Sequence, residues 1–198
     1  GSPFESYGPA YSLPNEKSYC ETCAAISKVF FDQRMLLATG KAKYADDLER
    51  TFYNAVLSGV SLTGTEYFYV NRMESRPADK ENRRMPYFNT SCCAPNLHRL
   101  LGSLQQYLFT VSADGVQAQL YGDAELQTRL SSGTTVHLRE TTDYPRAGRI
   151  QFEILAGGKF TLDGQTYTLA TNSTAAVCTG VPLAAGSDIQ LAINSAAD

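Results

Sequence analysis

Cysteine is the residue type in this chain best suited to chemistry, and its spacing is uneven. Cys20 and Cys23 stand in SYCETCAA, Cys92 and Cys93 are adjacent in NTSCCAPN, and Cys178 lies apart. Two close pairs are the usual grouping of a metal site or of reactive thiols, and an odd total argues against a disulfide-stapled secreted fold. The simplest metal reading of the spacing puts Cys20, Cys23, Cys92 and Cys93 around one zinc ion. C-x-x-C is a common zinc half-site, and thiolates suit that borderline-soft cation. Adjacent cysteines aim both sulfurs at one ion only where the backbone is bent. A helix start supplies that bend, along with free N–H groups and a positive dipole end that lower a thiol pKa. Two readings compete with a metal site: inert buried cysteines packing as small hydrophobes, and a redox pair.

Carboxylates and histidines add less. Glu21 lies two residues before Cys23, where a bend at a helix start can bring both side chains to one ion; on spacing alone it reads rather as a first-turn glutamate favoured by the helix dipole. Glu5, in SPFESYGPAY, is the one carboxylate in a run of aromatic and small residues. Such an acid is either a proton donor with a raised pKa or a solvated loop residue. His98 and His137, the two histidines, are assigned to neither role. There is no nucleophile elbow, no H-E-x-x-H, no phosphate-binding loop and no dinucleotide glycine pattern.

The elements that must position these groups follow from periodicity. A helix is expected from about 16 to 39, apolar on nearly every side and therefore mostly buried, with Gly40 to end it. A second is expected over 43–58, closed by Gly59, and a strand over TEYFYVN, 65–71. Residues 72–88 read as a surface loop. A third helix begins near Ala94 or Pro95 and runs to about Leu108, with Pro95 suited to its first turn. Beyond Thr110 short alternating runs separated by turn residues, from GVQAQLY to DIQLAIN, predict an antiparallel β-sandwich, with LDGQTY as a hairpin. Three helices are too few to close around so apolar a first helix, so either the sandwich covers it or the chain is a piece of a longer protein. The division is placed at 1–112 and 113–198.

Hydrophobic residues are 43% of the 198, enough for a core, and the net charge is −3. That acidity argues against nucleic acid and anionic membrane as partners. No apolar run reaches the roughly 18 residues of a membrane helix. The N-terminus lacks a secretory pattern, which says little about where the full protein resides; the expected compartment is the cytoplasm, with the periplasm as the alternative.

The ordered run FESYGPAYSLPNEKSYCETCAA, YFYVN, SCCAPNLHRLLGSLQQYLFT, LYGDAEL and RETTDYPRAGRI resembles glycoside hydrolase family 127 and its relative family 146, the β-L-arabinofuranosidase-type enzymes. The resemblance covers roughly residues 1–155. It implies an α+β chain: the last helices of an (α/α)6 barrel, then an antiparallel β-sandwich. It further implies zinc held by Glu21, Cys23, Cys92 and Cys93, with Cys92 as nucleophile, Glu5 as general acid/base and Tyr69 against the substrate. On this resemblance Cys20 is not a ligand and Glu21 takes its place. The expected activity is retaining, exo-acting removal of β-L-arabinofuranose or a similar sugar, with a carbohydrate as partner and homo-oligomerisation allowed. The alternatives are a non-catalytic carbohydrate-binding or structural module, which the lack of Trp weakens, and a thiol redox protein using Cys20 and Cys23.

Overall fold

The computed structural model describes residues 4–78, 82–113 and 115–156, and the backbone of 158–162, 165–169 and 173–177. The chain divides into two compact units, Gly1–Gly102 and Ser103–Asp198.

In the first unit α1 is Thr22–Thr39, α2 is Ala42–Thr51 and α3 is Cys93–Gly102. α1 packs against both of the others. It starts six residues later than the periodicity predicts, because 20–22 are taken by extended pairing. Thr22 N–H donates to Tyr69 O (3.0 Å) and Asn71 N–H to Cys20 O (2.9 Å). Gly40 ends it with φ 64°, and its N–H donates to Leu36 O. That left-handed closure is the expected one.

The expectation that α1 is mostly buried is corrected. Ile26, Val29, Asp32, Gln33 and Leu36 form one buried face, while Phe31 and Leu37 on the other are more than half exposed. α2 buries Leu48 and continues through a π-helical turn, Phe52–Val56, into a final 3₁₀ turn at Leu57–Gly59. The wider turn puts Phe52 and Val56 in the core. The predicted 65–71 strand is replaced by isolated antiparallel bridges, Glu21 with Val70 and Tyr67 with both Val60 and Met85. α3 ends at Gly102 rather than near 108, and Leu104–Tyr107 form a separate 3₁₀ turn.

The second unit is antiparallel throughout its described part. β1 (Phe109–Val111) pairs with β2 (Val116–Ala118). β3 (Ala124–Arg129), β4 (Thr135–Thr142), β5 (Ile150–Ile154) and β8 (Ser173–Val177) form a four-stranded sheet in that order. β6 (Gly158–Leu162) and β7 (Gln165–Leu169) make the hairpin expected at LDGQTY. Alternation sends Val136 and Leu138 of β4 and Ile150, Phe152 and Ile154 of β5 into one core with Val116, Ala118 and Leu130, as period-2 side chains require. The predicted DIQLAIN strand and Cys178 lie outside the described residues. The fold is thus a mixture of helices and antiparallel sheet.

Candidate metal centre and active site

Two helix starts meet at the cysteines. Glu21 occupies the N-cap of α1 with extended dihedrals, and its carboxylate does not cap the helix, which leaves it free to face sideways. Cys23 follows in the first turn. Cys92 immediately precedes α3, with its carbonyl accepting from Asn96 N–H (3.2 Å), and Cys93 is the first residue of α3. The helix termini bring unpaired N–H groups and positive dipole ends toward negatively charged ligands. The close pairing of α1's start with 68–71 depends on Thr22, whose hydroxyl donates to Phe68 O (2.7 Å). Gly59 sits against Thr22; a Cβ there would come within 3.2 Å of its Oγ1.

The four ligand atoms of Glu21, Cys23, Cys92 and Cys93 lie within 4.8 Å of one another. Cys23 Sγ is 3.4 Å from Cys93 Sγ, and Cys92 Sγ is 3.9 Å from Cys93 Sγ. Glu21 Oε1 is 3.4 Å from Cys92 Sγ and 3.8 Å from Cys93 Sγ. Zinc bonds of about 2.3 Å to sulfur and 2.1 Å to oxygen give tetrahedral edges of about 3.8 Å for S···S and 3.6 Å for S···O. The observed separations bracket those edges, and three thiols with one carboxylate are a donor set for a borderline-soft divalent cation.

Protonation fits the same reading. Burial pushes the Cys23 thiol up to about 11, partly opposed by the Asn96 amide, which donates to its sulfur at 3.1 Å. Burial also drives the fully buried Cys93 well above the ordinary thiol range, helped by its contact with Cys23. Neighbouring sulfurs resist gathering several negative charges, whereas a cation among them reverses the balance and holds a coordinating thiol deprotonated. These three thiols, and that of Cys20, are free rather than disulfide-bonded. Cys20 points its sulfur to Ser18 Oγ (3.2 Å) and is absent from the group. The four-cysteine reading of the spacing is therefore corrected, with Glu21 in place of Cys20.

An aromatic wall closes one side. Tyr69 places its hydroxyl 3.7 Å from Cys92 Sγ. Its ring meets Phe88 at 5.8 Å and Tyr19 edge-on at 6.4 Å. Its hydroxyl donates to Tyr19 and accepts from the Cys92 thiol, and these two contacts and burial hold it far from ionisation. Glu5 is exposed, and its Oε1 accepts from the Tyr19 hydroxyl at 3.3 Å. His98 is exposed on α3, and His137 lies on β4 against Glu125. Tyr19 and Asn96 were not singled out from the sequence. Asn96 carried a signal, since it falls one helical turn beyond Cys93 and so on the same face; Tyr19, in the irregular stretch before α1, carried none.

Three thiols and a carboxylate converge at two helix starts as a group that could hold a metal ion, beside tyrosines that connect to a second carboxylate, Glu5. The family described as the β-L-arabinofuranosidase GH127 catalytic domain matches residues 1–106. The non-reducing end β-L-arabinofuranosidase of Bifidobacterium longum subsp. longum is 32% identical over 158 residues, which are 76% of this chain and 24% of that protein. A solved GH127 β-arabinofuranosidase is 39% identical with a TM-score of 0.71, covering 77% of this chain and 24% of its own. The GH127 β-L-arabinofuranosidase of Geobacillus stearothermophilus T6 is 31% identical with a TM-score of 0.67, covering 84% of this chain and 30% of its own. This chain belongs to the GH127 family of glycoside hydrolases. It spans about a quarter of the length of the curated relative it matches.

Proposed function

We propose that the chain carries the zinc-binding and acid/base part of a retaining exo-glycosidase that releases β-L-arabinofuranose or a close analogue. The supporting observation is the placement of Cys92, whose sulfur sits in the four-donor group and also faces Tyr69, through which Tyr19 and Glu5 connect to it. In this reading residues 1–112 complete a helical (α/α)6 barrel and 113–198 begin a β-sandwich.

Glu21, Cys23, Cys92 and Cys93 would hold zinc, which when bound keeps the thiols ionised near neutral pH. The Cys92 thiolate attacks the anomeric carbon, forming a C–S bond as the bond to the leaving oxygen breaks. Glu5, protonated at this stage, gives its proton to that oxygen. Glu5 then takes a proton from water, whose oxygen attacks the same carbon and returns the electron pair to sulfur. Two inversions leave the configuration retained. Tyr69, neutral and with its hydroxyl 3.7 Å from the sulfur, orients Cys92 and lines the sugar side.

The test is hydrolysis of an aryl β-L-arabinofuranoside by the full-length protein, followed by NMR. The β anomer of arabinose is expected as the first product, with activity lost on chelation and restored by zinc. Release of the α anomer first, or sugar binding by calorimetry without any turnover, refutes the reading.

Metal affinity carries its own pH signature. Cys23 and Cys93 are both protonated at neutral pH in the metal-free protein, so binding releases at least their two protons. Affinity for zinc, read by competition with a chromophoric chelator, is expected to fall by at least about 10²-fold per pH unit from 8 to 6. A pH-independent affinity would mean that the buried sulfurs are not the ligands. Cys93→Ala removes the most buried donor and is expected to weaken binding by at least about 10²-fold.

A further inference from the structure

We infer that Tyr19 is a positioning residue that holds the Glu5 carboxyl toward the sulfur of Cys92, an assignment that rests on the function proposed above. Glu5 lies on an exposed loop, and among the described residues its carboxyl has one hydrogen-bond partner, Tyr19. A carboxyl held only by its own loop would sample many rotamers, and misplacement by about 1 Å is enough to cost a large factor in rate.

Tyr19, by contrast, stands on a rigid base. Ser18 beside it is buried, with its N–H on Pro14 O at 2.9 Å, and the next residue, Cys20, accepts from Asn71 N–H. Its ring rests edge-on against Tyr69, which in turn rests on Phe88, and Phe88 on Tyr67 (5.2 Å). The hydroxyl of Tyr69 donates to Tyr19, and that of Tyr19 donates to Glu5. The same Tyr69 oxygen is 3.7 Å from Cys92 Sγ. One continuous line of polar contacts therefore runs from the sulfur to the acid, and Tyr19 is its only link to Glu5 among the described residues. A phenol both donates and accepts, so it can keep hold of Glu5 in its protonated and its ionised form, as the two halves of the reaction require. The 3.3 Å separation is long for O–H···O; such contacts tighten when substrate fills the site.

The experiment compares kcat/KM of wild type, Tyr19→Phe and Glu5→Gln full-length proteins on two β-L-arabinofuranosides. One has a dinitrophenyl leaving group that departs without a proton; the other has an alkyl or sugar alcohol that needs one. Tyr19→Phe is expected to lose about 10- to 100-fold on the poor leaving group, less than about 3-fold on the dinitrophenyl substrate, with metal content and KM unchanged. Glu5→Gln should show the same selectivity with a larger loss, on the order of 10²- to 10⁴-fold. Equal losses of Tyr19→Phe on both substrates would make its role merely structural and overturn the inference, as would wild-type rates on both. If Glu5→Gln itself shows no selectivity, the acid assignment fails first and takes this inference with it.

Discussion

Cys92→Ser is expected to lower turnover of an aryl β-L-arabinofuranoside by on the order of 10³- to 10⁶-fold, the range seen when a nucleophile is removed from a site that otherwise survives. Serine is nearly isosteric, and Cys92 is only half-buried in front of α3, so the helix start should still form. The chemistry is what changes. An alcohol ionises far less readily than a thiol, and it is a weak nucleophile unless a base activates it. The nearest groups offer no such base: Tyr69 is held neutral, and Glu21 belongs to the donor group. The smaller oxygen also retracts from a contact that is already 3.4 Å to Glu21 Oε1. Intact-mass spectrometry supplies the second readout. Wild type treated with a slow-reacting arabinofuranosyl donor should gain one pentosyl unit on the Cys92 peptide, and the serine variant none. A serine variant with wild-type turnover would move the nucleophile elsewhere.

Cysteine chemistry was legible in the sequence while its geometry was only partly so. Two close pairs announced a shared site, because few other reasons put four thiols at such spacings. Spacing alone, however, selected Cys20. The C-x-x-C pattern presumes one continuous backbone conformation, yet here the chain changes from extended to helical at Glu21, whose ψ of 139° gives way to α1 at Thr22. Across such a junction neither period 2 nor period 3.6 tells which side chains share a face. Cys20 is carried away to Ser18, and Glu21 swings into line with Cys23.

The helices were found where their apolar period is strong and were misjudged at their ends. Residues 16–21 satisfied a helical pattern, but Cys20 and Glu21 are used by long-range pairing with 70–71, which local propensity cannot anticipate. The exposed Phe31 and Leu37 show why the all-round apolarity of α1 misled: apolar composition signals that a face prefers burial, and among the described residues only one face is covered. Tyr19 was invisible for a further reason. Its importance comes from touching Glu5 and Tyr69, fourteen and fifty residues away, and no local spacing encodes that.

Glu140 predicts a second large effect, on stability and in the other unit. The inward row of β4 reads Val136, Leu138, Glu140, so the alternation that fills the core also drives a carboxyl into it; Glu140 is 1% exposed and pairs across the sheet with Phe152. Its Oε1 accepts from Gly122 N–H at 3.1 Å, while Oε2 has no partner among the described residues. Burial pushes the carboxyl up to about 8, partly opposed by the Gly122 N–H, and the charge of Asp123 adds to the rise. The folded unit therefore prefers the neutral acid, whereas the unfolded chain ionises it near 4.5. Between those values the native state binds the extra proton, so this group's stabilising contribution is full below about 4.5 and is lost as pH rises through about 8. The loss is on the order of 3 to 5 kcal/mol. Glu140→Gln is neutral at every pH and keeps an oxygen for Gly122. Its unfolding free energy relative to wild type, from urea titrations, is expected to rise by that amount between pH 5 and 9. A difference that stays flat with pH would mean that the carboxyl of Glu140 is solvated in the folded protein. Retaining an acid there has a local logic, since Gly122 lies in the connection between β2 and β3, and an apolar replacement such as Glu140→Leu would take the acceptor from its part-buried N–H.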